Sequence, residues 1–168
     1  MRLLGLLLFA MLSASLEAGN IAAQPPNAQT WSIEDEVTIQ RALAQIESGH
    51  CKFPDVVRGA SGEVSRFQIM PNIWKKYTRS NNFTNPGVAW SVAYKILKNR
   101  YSQFVRATGR QPTAFDLYAM WNKPGLYAEV DFAPHRLPTR LRDVARRFEN
   151  LVLALQTGKS KTVLSAKS

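Results

Sequence analysis

The chain has 168 residues, of which 45% are hydrophobic and 20% charged, and a formal net charge of +10. That length suits one domain with one sizeable core, and the composition excludes a disordered chain. The excess of cations favours a polyanionic partner, or else a surface that mainly keeps the protein in solution.

Arg2 is a short positive lead before an apolar run from Leu3 to Leu12. Small residues follow, with Ile21-Ala22-Ala23 before Gln24 as a cleavage site and Leu16-Glu17-Ala18 as a second one. This pattern predicts a signal peptide over residues 1–23 and an exported protein, periplasmic or extracellular. The alternative is an uncleaved anchor, but the run is short for a bilayer and no other stretch is long enough, so no stable span is expected after cleavage. Residues 24–31 read as a flexible lead-in containing Pro and Asn.

Helix signals then recur. The first helix is expected to begin at Ser32, with Asp35 at capping-box spacing and Glu34 and Glu36 suiting the positive end of the dipole. Ile39, Ala42, Leu43 and Ile46 form its apolar stripe, Glu47 continues that stripe, and Ser48-Gly49 ends it. Residues 50–66 make a connection of about 16 residues, longer than most in compact domains, with room for a small hairpin. A short helix is expected near Pro71, with Ile73, Trp74 and Tyr77 on its apolar face. Asn85 as cap and Pro86 as first residue open the clearest helix, striped by Ala89, Val92, Ala93, Ile96 and Leu97 and closed by Gly109. Thr113 and Asp116 cap the next one, whose buried side is Leu117, Met120 and Trp121 and which stops at Pro124-Gly125. Residues 126–137 read as irregular. The last helix is expected from Pro138 to Gln156, with Gly158 as its stop and residues 158–168 as a disordered basic tail.

The fold expected is therefore mainly α, with one domain over residues 32–157. Cys51 is the only cysteine, so no internal disulfide framework supports it. Cys51 reads as a small packed residue; a nucleophile would need a positioned base, and the adjacency of His50 along the chain does not provide one. His50 and His135 are too few and too isolated for a metal site, and neither a Gly-rich phosphate loop nor a Ser-His-Asp pattern occurs. No cofactor or metal is expected. Export turns the positive charge toward the peptide carboxylates and anionic polymers of a bacterial wall; no helix-turn-helix or other nucleic-acid element accompanies it, so no nucleic acid is expected as partner.

Glu47 is the carboxylate out of place. Burying an ionised carboxylate on an apolar stripe is costly, so either a cation pairs with it or its pKa rises and it becomes a proton donor. Periodicity alone favours a solvated residue at a helix end, since charged residues are seldom fully buried.

Four segments, in order, change that balance. Ala44-Gln45-Ile46-Glu47-Ser48-Gly49 resembles the Glu-Ser motif of lytic transglycosylases and goose-type lysozymes. Gln68-Ile69-Met70-Pro71 resembles the Gln-Ile-x-Pro segment of the same family. Asn85-Pro86 opening a long helix is similar to its next landmark, and Met120-Trp121-Asn122-Lys123-Pro124-Gly125 to its Ala-Tyr-Asn-x-Gly motif. The resemblance covers residues 33–155. It implies a lysozyme-like α+β domain with a long loop or small hairpin after the first helix, and peptidoglycan glycan strands as substrate. It further implies Glu47 as the catalytic acid, Ser48 supporting the site, Gln68 in the sugar-binding floor, and Asn122 on the helix facing the acid.

The chain departs from the family pattern before Gln68, where Glu63 and Ser65 replace an Ala and a Gly. Trp121 replaces the motif Tyr, losing a phenol near the acid and gaining an indole donor and a stacking surface. Glu63 has two readings. It is a structural or substrate-binding residue, paired for instance with Arg66, or it is a second catalytic carboxylate that activates water for hydrolysis, as inverting enzymes do with a pair about 6.5–9.5 Å apart. Lytic transglycosylases manage with one carboxylate, acid first and base second. Among the aromatics, Trp74, Trp90, Tyr118 and Tyr127 are sugar-stacking candidates that core packing explains better, while Trp121 is favoured for the sugar by its motif position. The resulting expectation is a monomeric enzyme that cleaves the β-1,4 bond between N-acetylmuramic acid and N-acetylglucosamine, a lytic transglycosylase first and a lysozyme-type hydrolase second. A non-catalytic wall-binding module on the same fold is a different class, and chitin-type glycans are a further substrate.

Overall fold

The chain folds as successive helices whose ends follow local chemistry. The structure, a computed structural model, describes residues 33–165, with side chains described over 36–158. The expected signal peptide, the lead-in, the Ser32 cap and residues 166–168 of the expected tail lie outside the described residues.

Helix α1 runs Ile33–Ser48. Ile39, Ala42 and Leu43 are buried along one stripe, as periodicity predicts. Gly49 ends it, its N–H reaching the Gln45 carbonyl at 3.1 Å. The short helix α2 (Pro71–Trp74) places Trp74 wholly in the core, its indole N–H donating to the Ser80 carbonyl at 2.6 Å. Helix α3 (Pro86–Thr108) begins at Asn85, whose Oδ1 accepts the Val88 N–H at 2.9 Å, one of the donors a helix start leaves without a partner. It ends at Gly109, whose φ of 70° is a left-handed cap that glycine adopts without strain.

Helix α4 (Ala114–Asn122) starts with a complete capping box between Thr113 and Asp116. Sequence periodicity predicts one buried side for α4, but Phe115 through Met120 are all buried. The helix is enclosed by α3 and by two later elements, α5 (Pro124–Glu129) and α6 (Thr139–Ser165), and α6 also packs on α1. Asp116 at its start is 2% exposed and closes a network. It accepts from Arg110 at 2.7 Å, from the Tyr127 hydroxyl at 2.5 Å and from the Thr113 N–H at 2.9 Å. Burial alone pushes this carboxyl up, but these donors and the Arg110 charge outweigh burial and hold it below the usual range.

Three expectations need correction. Pro124 does not end helical structure: it supplies the first residue of α5, where its missing N–H costs nothing, and a 3-10 turn follows at Pro134–Arg136 within the stretch read as irregular. Gly158 does not stop α6, which continues to Ser165 through much of the stretch read as a disordered tail; a glycine inside a helix costs only about 1 kcal/mol. The long connection after α1 holds no hairpin, and no strand forms among the described residues. A single antiparallel bridge joins Val64 and Ile69 through two 2.9 Å hydrogen bonds. Only Ser65–Gln68 lie between them, and away from that turn the next pair would be Gly62 with Pro71, which has no N–H and opens α2, so the ladder does not extend. Ser65 and Gln68 take left-handed φ values of 64° and 48° in that turn. Ser65 thus holds, with a side chain, a conformation that favours glycine, and its position is the one where the resembling family carries Gly.

Among the described residues, no helix is long and apolar enough to cross a membrane.

Candidate active site

Glu47 sits in the last turn of α1, where the stripe that buries Leu43 carries it inward. It lines an open cleft of about 700 Å³, together with Glu63, Gln68, Trp121 and Asn122. The structure thus brings together five of the seven residues singled out from sequence. The other two, Ser48 and Tyr118, are buried directly behind the cleft wall.

Burial pushes the Glu47 carboxyl up to about 7, against 4.5 for an unperturbed one. Hydrogen bonds from Tyr118 and Trp121 act the other way, and the nearby charge of Glu63 adds a smaller push upward. The negative end of α1 further disfavours ionisation at this position. At neutral pH the group is therefore divided between acid and carboxylate, the state that general acid–base chemistry requires.

Tyr118 donates its hydroxyl to Glu47 Oε1 at 3.0 Å from 71 residues away in sequence. Its ring is 3% exposed and packs on Phe148 at 5.3 Å between centroids. The structure does not place it on the cleft surface for a sugar to stack on; it holds the acid. The phenol expected to be lost with Trp121 is thus supplied one turn earlier on the same helix. The Asn122 side chain bonds the same hydroxyl. Burial, then the charge of Glu47, push the Tyr118 phenol up, so it remains a donor at neutral pH.

Ser48 is also a support, out of reach of substrate. It is fully buried, and its hydroxyl donates to the Arg66 carbonyl at 2.8 Å, with the Ala44 carbonyl at 3.3 Å. That bond ties the end of α1 to the turn carrying Gln68. Gln68 in turn donates its side-chain amide to the Ser65 carbonyl at 2.9 Å. Gly59 lies under both acidic and amide side chains of the loop: a Cβ there would collide with the Glu63 carboxylate and the Gln68 amide oxygen.

Glu63 accepts the Ser61 N–H at 3.0 Å. The pairing with Arg66 does not occur. Arg66 closes its Nε/Nη2 edge on Asp55 at 2.5 and 2.6 Å, and no ion pair joins Glu63 to a cation among the described residues. A bidentate fork fits a carboxylate 11 residues back better than one on the adjacent tight turn.

Among the aromatics, Trp74 and Tyr127 are wholly core, and Trp90 is half-buried with its indole donating to Glu36 at 2.9 Å. Trp121 alone of the five lines the cleft. Cys51 is half-buried and is not among the residues lining the cleft. Among the described residues no group of three His, Cys, Asp or Glu side chains is arranged to hold a metal ion.

Two charged cleft residues escaped the sequence reading as site residues. Arg100 lies on α3 four residues after Ile96, and so continues an apolar stripe as Glu47 does on α1; that signal was available. Lys123 sits between α4 and α5 and carried no comparable mark.

Chemically, the arrangement offers one proton near neutrality, two donors that steady the carboxylate left behind, a second carboxylate nearby, and an indole face. Compared with known protein families, with curated proteins and with solved structures, the chain matches none.

Proposed function

We propose that this chain is an exported lytic transglycosylase on a lysozyme-like fold, cleaving the β-1,4 bond between N-acetylmuramic acid and N-acetylglucosamine in peptidoglycan. The observation that carries the reading is the Glu47 carboxyl, pushed up to about 7 inside a cleft that also presents Gln68, Trp121 and Asn122. The ordered motifs around those same residues support the substrate.

In this reading Glu47 protonates the glycosidic oxygen as the bond from C1 to that oxygen breaks, its electron pair leaving with the oxygen. The carboxylate, steadied by Tyr118 and Trp121, then takes the proton of the sugar's C6 hydroxyl. The C6 oxygen attacks C1 and closes a 1,6-anhydro ring. No water is consumed and no cofactor takes part. The enzyme works as a monomer, and its positive charge serves the anionic wall and not nucleic acid.

Glu63 favours a second reading, hydrolysis. It shares the cleft, has no cation partner among the described residues, and its charge reaches Glu47. A carboxylate so placed activates water when the spacing leaves room for it.

Mass spectrometry of purified peptidoglycan digested by the mature protein separates the readings, with Glu47→Gln as control. Fragments lighter by one water than hydrolytic ones, absent from the control, are expected. Reducing-end fragments would move the assignment to hydrolysis with Glu63. Absence of cleavage by folded protein would leave a binding module and overturn the enzymatic reading.

A further inference from the structure

The cleft holds four charged side chains, Glu47, Glu63, Arg100 and Lys123, and no ion pair joins any two of them. The two cations are therefore not spent on the two carboxylates. Arg100 is the more informative. Its Nη1 donates to Gln103 Oε1 at 2.9 Å, which fixes one side of the guanidinium. Its Nε–H is buried and has no acceptor among the described residues. A buried donor without a partner is costly and rare in folded proteins. The Nε/Nη2 edge is the one that Arg66 closes on Asp55 in the same protein. In Arg100 that edge has no carboxylate.

We propose that Arg100, assisted by Lys123, is a specificity-determining residue that binds a carboxylate of the substrate at the cleft. Giving up the Gln103 contact lets the guanidinium turn its Nε/Nη2 edge to the ligand, and the bound carboxylate supplies the acceptor that Nε lacks. Planar, bidentate recognition of this kind is what a guanidinium does better than an ammonium. The inference rests on the glycan-cleaving reading and narrows it: the cleft takes acidic glycans in preference to neutral N-acetylglucosamine polymers. Two sources of the carboxylate share this chemistry, the stem peptide and the lactyl group of peptide-free muramic acid.

The test is binding to the inactive Glu47→Gln protein by calorimetry, so that it does not depend on turnover. Three probes are compared: a glycan fragment bearing stem peptides, the same fragment stripped of peptide and retaining its lactyl carboxylate, and a neutral chitooligosaccharide of equal length. Adding Arg100→Gln is expected to weaken binding of a carboxylate-bearing probe about tenfold, the worth of one charge-assisted contact, and to leave the neutral probe unchanged. Loss on the peptide-bearing probe alone identifies the stem peptide, loss on the stripped probe alone identifies the lactyl carboxylate that amide linkage to the peptide otherwise blocks, and loss on both means that Arg100 binds either carboxylate. Arg100→Lys, which keeps the charge and loses the fork, is expected to recover only part of the affinity. Equal weakening of all three probes, or no weakening of any, would overturn the inference while leaving the glycan reading standing. Failure of every probe to bind would overturn both.

Discussion

Replacing Glu47 with Gln should make the protein more stable at alkaline pH and leave it unchanged in acid. Folding raises the proton affinity of this carboxyl from 4.5 to about 7. The native state therefore holds a proton that the unfolded state releases between those values. The stability Glu47 contributes is complete below pH 4.5 and is lost as pH rises through 7. Gln keeps the neutral shape at every pH, and its amide oxygen still accepts from Tyr118. At about 1.36 kcal/mol per pH unit across that window, and allowing for the half-buried position, the variant gains about 2–3 kcal/mol over the parent at pH 8 and nothing at pH 4. Urea unfolding of both proteins, followed by tryptophan fluorescence from pH 4 to pH 8, measures this directly, and all other titrations cancel in the difference. A difference independent of pH, or a parent more stable than the variant at pH 8, would refute the reasoning.

Other expectations follow from the same geometry. Tyr118→Phe keeps the ring on Phe148 and removes a donor that favours the ionised acid; the alkaline limb of kcat/KM should move up by about one pH unit, and a limb that stays in place would mean the hydroxyl does not act on Glu47. Glu63→Gln should retain activity within a few-fold if one carboxylate suffices, whereas a loss of about a hundredfold or more would make it the second catalytic group. Asp116→Asn should cost about 2–3 kcal/mol at pH 7 by weakening charge-assisted bonds to Arg110, Tyr127 and Thr113. Because folding lowers the Asp116 pKa, its contribution is present above pH 3.8 and fades as pH falls below that, so urea midpoints of variant and parent should converge in acid.

Where the chain states its structure locally, the sequence was legible. The Asn85-Pro86 start, the Gly109 stop and the Thr113–Asp116 box each depend on residues within one turn, and each helix end is found there. Glu47 was legible for a different reason: periodicity marked a charge on an apolar stripe, which alone favoured a solvated helix end, and the ordered motifs around it turned that mark into a candidate site. Its partner was not, because Tyr118 lies 71 positions further along the chain and nothing between them states that α4 will lie against the end of α1. Arg66 shows the same limit, since proximity in sequence favoured Glu63 and the tertiary turn delivered Asp55. Pro124 and Gly158 were misread because each has two local meanings, and packing decided between them: Pro124 opens a helix that buries Tyr127, and α6 continues past Gly158.

The claim on which the rest depends is that Glu47 carries a proton near neutral pH. A ¹³C NMR titration of glutamate carboxyls, with the Glu47 resonance identified by its absence in Glu47→Gln, tests it most directly. The account predicts a carboxyl titrating at about 7. A Glu47 resonance that titrates near 4.5, the ordinary value of a glutamate carboxyl, would contradict it.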